Sequence, residues 1–256
     1  MEREYFNKYF HYERSHWYFK ARNKIILNHI KSLKTNNNGK LKILNIGVGT
    51  GYTSELLEEL GQVKSIEYDK ESCDLVKQKT KLDITHGSIT NLPYEEGSFD
   101  IVCAFDVIEH VQNDCLAFKE MRRVCKKSGY IVITVPAFMS LWSSHDVINH
   151  HFRRYLKRDI EKLIDRNNLD SHYTSYFNFL LFIPIFVYRK IKNFRKLFIT
   201  NNYSEKNYSD FEVMNNGIFS FLHKLFFSIF YSENLVIKYG KFCFPFGVSI
   251  ISSSRK

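Results

Sequence analysis

Between positions 41 and 136 the chain alternates two patterns. Short apolar runs rich in β-branched residues, at 42–46, 63–67, 82–86, 98–105 and 130–135, predict strands. Stretches at 52–60, 71–79 and 113–125 space their apolar residues for helices, the last of them with Leu116, Phe118, Met121 and Val124. Strands that alternate with helices predict a parallel sheet covered on both faces. Continuous runs such as Ile131-Val132-Ile133 suit strands buried on both sides.

The flanks read differently. Positions 2–33 look like one long helix carrying Tyr5, Tyr9, Tyr12, Trp17, Tyr18 and Phe19, broken by Asn36-Asn37-Asn38-Gly39. It either packs on the sheet edge or forms a lid with His16, Trp17 and Arg22 turned inward. After Pro136 comes a polar-aromatic loop, 137–155, then a helix at 157–167 and a sixth strand at 168–176. Positions 177–187 are intensely apolar and lead into Arg189, Lys190, Lys192, Arg195 and Lys196. Positions 200–216 are polar and read as mobile, 218–231 as an apolar helix, and 246–252 as the last strand. The organisation expected is a helical cap at 1–40, an α/β core at 41–176, an aromatic and basic helical insertion at 177–245, and a strand at 246–256 that completes the core.

The most informative stretch is Ile46-Gly47-Val48-Gly49-Thr50-Gly51, at the junction of the first strand and helix. Glycines there permit positive φ and close approach of a ligand to the backbone. The following helix offers unpaired N–H groups. The spacing differs from the Gly-x-Gly-x-x-Gly of dinucleotide binders, which disfavours a nicotinamide-linked dehydrogenase. Glu67 ends the second strand roughly 20 residues past Gly47, the distance at which nucleotide-binding sheets place a ribose-binding acid.

Composition narrows the partners. Lys and Arg number 37 against 27 Asp and Glu, a net charge of +10, which favours an anionic partner: nucleic acid, an acidic membrane surface or a phosphorylated substrate. The five cysteines, Cys73, Cys103, Cys115, Cys125 and Cys243, include no Cys-x-x-Cys pair, so neither a disulfide framework nor a metal site is expected. The charged stretch 1–10 is no signal peptide. Together these predict a cytoplasmic protein.

With these pieces in view, the chain resembles class I S-adenosylmethionine-dependent methyltransferases. The resemblance rests on the glycine turn, Glu67-Tyr68-Asp69, Asn91-Leu92-Pro93-Tyr94, Ser98-Phe99-Asp100-Ile101-Val102 and Asp106-Val107-Ile108-Glu109-His110-Val111. It implies a Rossmann-like, doubly wound sheet of seven strands, mostly parallel, with an antiparallel last strand and helices on both faces. It implies S-adenosylmethionine as cofactor, with Gly47, Gly49 and Gly51 against its methionine and sugar, Glu67 on the ribose hydroxyls beside Tyr68, Ser88 and Ile89 at the adenine, and Asp106 near the methionine. Two positions depart from the family. Asn45 stands where an acid usually helps to hold the methionine amine, and Ser88 where Asp often meets the adenine. A narrower resemblance, to a bacterial subgroup linked to glycan or lipid-linked metabolism, rests on Leu141-Trp142-Ser143-Ser144-His145-Asp146, His151-Phe152-Arg153-Arg154-Tyr155 and Pro245-Phe246-Gly247-Val248-Ser249.

Methyl transfer to oxygen needs the acceptor's proton removed, and histidine is the natural base near neutral pH. His110, His145 and His151 are the candidates. His110 also reads as a structural cap of its turn. Trp17, Asp146, Arg153, Arg154 and Tyr155 are the candidate acceptor contacts, the arginines for phosphate or carboxylate. The leading expectation is O-methylation of a small-molecule, glycan or lipid-linked acceptor. An RNA methyltransferase, or a cofactor-binding protein without activity, remains as an alternative. Neither apolar run of the insertion reaches the ~20 residues of a bilayer span. Their basic flanks admit either peripheral membrane contact through 177–231, at the inner face, or two helices packed over the site.

Overall fold

A computed structural model describes residues 3–35, 39–198, 222–240 and 242–256. The stretch 200–216 lies outside the described residues. Seven strands form one sheet: β1 (Leu41–Ile46), β2 (Gly61–Glu67), β3 (Ile84–His86), β4 (Phe99–Phe105), β5 (Cys125–Pro136), β6 (Asp170–Phe177) and β7 (Ser249–Arg255). Their order is β3-β2-β1-β4-β5-β7-β6. The pairs β1–β2, β1–β4, β2–β3 and β4–β5 are parallel, and β7 runs antiparallel between β5 and β6. This is the expected architecture.

Alternation along the strands builds two cores. Ile43, Ile101, Cys103, Tyr130, Val132 and Ile251 face one side, under α2 (Trp17–Ser32) and the helix His223–Ser232. Leu44, Ile46, Val102, Ala104, Ile131 and Ile133 face the other, under α5 (Asp114–Val124) and α7 (Lys157–Arg166). Each residue of the sheet centre is buried because both layers are filled. At the β3 edge Phe6 packs with Val48, Cys73, Val76 and Leu82, which seats α1 (Arg3–Ser15) against α4 (Lys70–Lys79).

The structure revises several expectations. The single N-terminal helix is two, α1 and α2, because His16 adopts extended backbone (φ −72°, ψ 136°) and its Nδ1 accepts from the N–H of Tyr18. That capping bond satisfies a donor the new helix start leaves open. The helix α3 (Tyr52–Leu57) stops short of 60. Strand β5 begins at Cys125, well before 130, with a register shift against β4 between Phe99 and Ile101. The apolar run 177–187 divides between the end of β6 and α8 (Phe182–Phe198).

The last strand buries Ser252, Ser253 and Ser254, which polarity alone would leave exposed. Tertiary partners make that tolerable: Thr174 Oγ1 lies 2.8 Å from Ser252 Oγ, and His29 Nε2 lies 3.0 Å from Ser253 Oγ. His29 Nδ1 also lies 3.2 Å from the carbonyl of Ile237. Burial lowers the His29 imidazole to about 4 from 6.5. The unfolded chain therefore binds a proton between about pH 4 and 6.5 that the folded protein refuses. Stability from this group is complete above that window and falls as the pH drops through it, by on the order of 3 kcal/mol. His29→Gln should flatten the fall of the thermal midpoint between pH 6.5 and 4, and an equally steep fall in the variant would remove His29 as its source.

Candidate active site

The five parallel strands, β1 to β5, end at one edge, and the turns beyond them form the site. Gly47, Gly49 and Gly51 have φ of +70°, +57° and +90°. A side chain at Gly47 would collide with Val107, and one at Gly51 with Leu82 and Val76. At Gly49 nothing lies within 4 Å of a built Cβ. The turn is thus closed on two sides and open at Gly49, a cradle with space for a ligand.

Glu67 holds that cradle to the end of β2. Its Oε2 accepts from the N–H of Gly49 at 3.0 Å and its Oε1 from that of Asp69 at 3.0 Å. Tyr68 is fully turned to solvent beside it, and its carbonyl lies 3.0 Å from His86 Nε2. Ser88 closes its own turn through Thr90, at 2.8 Å, while Ile89 is buried below. Asn45 lies under the turn, where its Nδ2 donates to Ser54 Oγ at 2.8 Å and its Oδ1 is buried without a partner.

At the end of β4, Asp106 sits at φ +55°, a strained setting for a residue other than glycine. Its carboxylate accepts from Arg22 Nη2 at 2.7 Å and Thr134 Oγ1 at 3.0 Å. Arg22 comes from α2, so the N-terminal segment does turn one of its three inward candidates to the strand ends. Trp17 goes elsewhere: it is buried against Phe226, 5.4 Å between ring centres, and packs α2 on the helix His223–Ser232. His16 lies 5.5 Å from His223 between ring centres, tilted to it, and burial followed by that neighbour lowers it to about 4.

Sequence reasoning missed Glu13. From α1 it takes the hydroxyl hydrogen of Thr50, and burial raises its carboxyl to about 7. Beside it Arg14 pairs with Glu55 at 2.8 Å. Both residues lie on a helix whose contact with the glycine turn is long-range, so no local pattern marks them.

The loop 137–155 is organised around Asp146, which is fully buried. It accepts from Arg154 Nε at 2.7 Å and Nη2 at 3.0 Å, from the N–H of Ser143 at 2.8 Å, and pairs with His151 Nδ1 at 2.9 Å. These partners hold its carboxyl well below the usual range despite burial. Arg154 also donates to the carbonyl of Ala137. Arg153 donates to Asp114 and to the carbonyl of Gln112, and the Tyr155 hydroxyl lies 3.0 Å from Asp114. Asp146, Arg153, Arg154 and Tyr155 therefore brace the loop. The expected grip on an acceptor anion has few polar atoms left in this group.

The bracing sets His151 against the strand β4 turn. The N–H of Phe152 donates to the carbonyl of Glu109 at 2.8 Å, and the rings of His151 and His110 meet edge to face at 4.6 Å. His145 stands 6.1 Å from His151 and within 3.3 Å of Asn149 Nδ2. Burial, with His151 second, lowers His110 to about 4. Glu109 is wholly buried, both oxygens lack a partner, and burial reinforced by Asp106 pushes its carboxyl well up.

Residues 44–133 match the model of a family described as a methyltransferase domain. A "Probable S-adenosylmethionine-dependent methyltransferase" of Mycolicibacterium smegmatis is 30% identical over 96 residues, 37% of this chain and 37% of that protein. A demethylmenaquinone methyltransferase of Staphylococcus epidermidis is 32% identical over 100 residues, 35% of this chain and 42% of that protein. The chain thus spans well under half the length of these curated relatives. A solved geranyl diphosphate methyltransferase in complex with S-adenosylmethionine shares the fold, with a TM-score of 0.56, 11% identity, and coverage of 92% of this chain and 84% of that one.

Sheet order, glycine turn and family match agree: residues 44–133 carry a methyltransferase domain, set in a Rossmann-like sheet of the kind found in the class I S-adenosylmethionine-dependent methyltransferases. The cofactor of that class fits what the residues offer, an open cradle at Gly49 rimmed by the Glu67 carboxylate. Gly49→Arg should abolish S-adenosylmethionine binding in calorimetry by filling the cradle. Gly49→Ala, whose methyl group meets nothing but whose φ is unfavourable, should bind while losing roughly 1 kcal/mol of stability. Undiminished affinity in the arginine variant would show that the turn faces elsewhere.

Proposed function

We propose that the chain transfers a methyl group from S-adenosylmethionine to an oxygen of a small-molecule or lipid-linked acceptor. The observation that carries this reading is the pairing of His151 Nδ1 with buried Asp146 at 2.9 Å. A carboxylate there keeps the proton on Nδ1, so that Nε2 presents its lone pair. The ring lies against His110, at the strand end beside Asp106, where the resemblance sets the methionine end of the cofactor. Bound S-adenosylmethionine supplies an electrophilic methyl group on a sulfonium, and the protein's part is orientation and proton removal. Gly49 and Glu67 would hold the nucleoside side, and Asp106, fixed by Arg22, the methionine side. His151 receives the acceptor's proton, and His110, which burial keeps neutral at physiological pH, leaves that ring unopposed by a neighbouring cation. His145 stands one ring further out. Demethylmenaquinone methyltransferases among the relatives support a small-molecule acceptor by their name.

His151→Ala should lower methyl transfer at least ~100-fold, the general-base contribution, with S-adenosylmethionine affinity unchanged. Labelled methyl incorporation into lipid and glycan extracts, beside calorimetry, measures both. Unaltered turnover would remove His151, absence of S-adenosylmethionine binding in the native protein would sink the methyltransferase reading, and binding without methyl transfer would leave a cofactor-binding protein without activity.

The lipid-linked option draws on the surface. Ile183, Val187 and Ile191 are exposed at helical spacing on α8, and Leu225, Leu235, Tyr239 and Phe242 are exposed further along the chain, with Lys190 and Lys224 exposed in the same two stretches. Among the described residues no helix is long and apolar enough to cross a membrane. Such a surface suits in-plane contact with an acidic bilayer. Vesicles rich in anionic lipid should carry the protein upward on flotation at low salt, and release it as salt rises. Protein left wholly below them at low salt would refute the contact.

A further inference from the structure

Glu109 poses a problem that methyl transfer alone does not solve. A carboxyl group with no exposure and no hydrogen-bond partner is costly, since burial without compensation amounts to several kcal/mol by ordinary transfer scales. Its surroundings are specific. One ligand atom each from Glu109, His110 and His151 lies within 4.8 Å of the others. His151 is oriented from behind by Asp146, the carboxylate–histidine arrangement that presents an imidazole nitrogen to a cation. Phe152 and Tyr155 pin the loop to the turn that carries Glu109 and His110, through the carbonyls of Glu109 and Ile108.

We propose that Glu109, His110 and His151 form a binding site for one divalent transition cation of the Zn2+ type. Two imidazoles and one carboxylate are the donors such ions prefer, whereas Mg2+ favours an all-oxygen shell. Tetrahedral bonds of ~2.1 Å require ligand atoms about 3.4 Å apart, so the cluster must contract by about 1.4 Å at its widest. His110 has part of its ring buried but keeps a solvent-exposed side, and it can close that gap by side-chain rotation. Three protein ligands leave a position open toward solvent, as in sites that act on a substrate.

What the cation would do rests on the methyltransferase reading and changes one detail of it. An acceptor hydroxyl in the open position would lose its proton to bulk water, and the electron pair kept on its oxygen would form the bond to the methyl carbon as the methyl–sulfur bond breaks and S-adenosylhomocysteine leaves. His151 would then be a ligand and not the base. Deprotonation of a cation-bound oxygen near neutral pH is ordinary chemistry.

The test is calorimetric titration of the full chain with Zn2+ alone, with Co2+ absorption as a second readout of coordination. One equivalent should bind, and Glu109→Gln and His110→Ala should each weaken it at least 10-fold. Glu109→Gln is nearly isosteric and leaves no ion-pair partner behind, so its fold, checked by thermal unfolding, should survive. His172→Ala, an exposed histidine on β6, should bind as the native chain does. Absence of binding, or native affinity in the two cluster variants, would overturn the site and leave Glu109 as a protonated buried carboxyl. Titration with S-adenosylmethionine in parallel separates the two readings: its failure would count against methyl transfer, and only the Zn2+ result bears on the cation.

Discussion

Everything in this molecule that resembles chemistry depends on the parallel pairing of β1 between β2 and β4. Ile46 lies level with Ile66 on one side and Ala104 on the other. Parallel strands in one sheet must end at the same edge, and each then needs a crossover to return. The turns that open those crossovers, at Gly47, Glu67 and Asp106, are therefore neighbours although far apart in the chain. The ladder aligns the backbone, and the chemistry follows from which residues occupy the first positions beyond it.

Those positions are stabilised from outside the sheet. Arg22 on α2 meets Asp106, and Glu13 on α1 meets Thr50, so the N-terminal helices are part of the site's architecture. The loop after β5 is built by a different principle. A single buried carboxylate, Asp146, gathers an arginine, a histidine and a backbone N–H. A buried charge is tolerable only with such compensation, and the compensation is also what aims His151. The part Arg154 plays is thus indirect: it holds the group that holds the histidine, while Arg153 ties the loop to Asp114.

The sequence by itself determined the fold and marked the glycine turn with Glu67 beside it. Strand and helix periodicities, the three glycines and Glu67 are local signals, set by backbone sterics and side-chain alternation over a few residues. Even the departures stood out, at Asn45 and Ser88. Element ends were less legible. His16 divides one apparent helix into two because a side-chain cap competes with helix continuation, and the buried serines of β7 depend on His29 and Thr174 from elsewhere.

Only the tertiary structure decided what the polar residues of the acceptor end do. From the sequence, Arg153, Arg154 and Tyr155 read as acceptor contacts; packing gave their polar atoms to Asp114, Asp146 and backbone carbonyls. Trp17 became a helix–helix contact for the same reason. Conversely, nothing in the motif at 106–111 gives Glu109 a role of its own, and its significance lies in being enclosed without a partner beside two histidines from separate segments. Burial and long-range proximity are properties of the folded chain. A local pattern specifies which groups are available, and the packed structure decides which of them are already occupied.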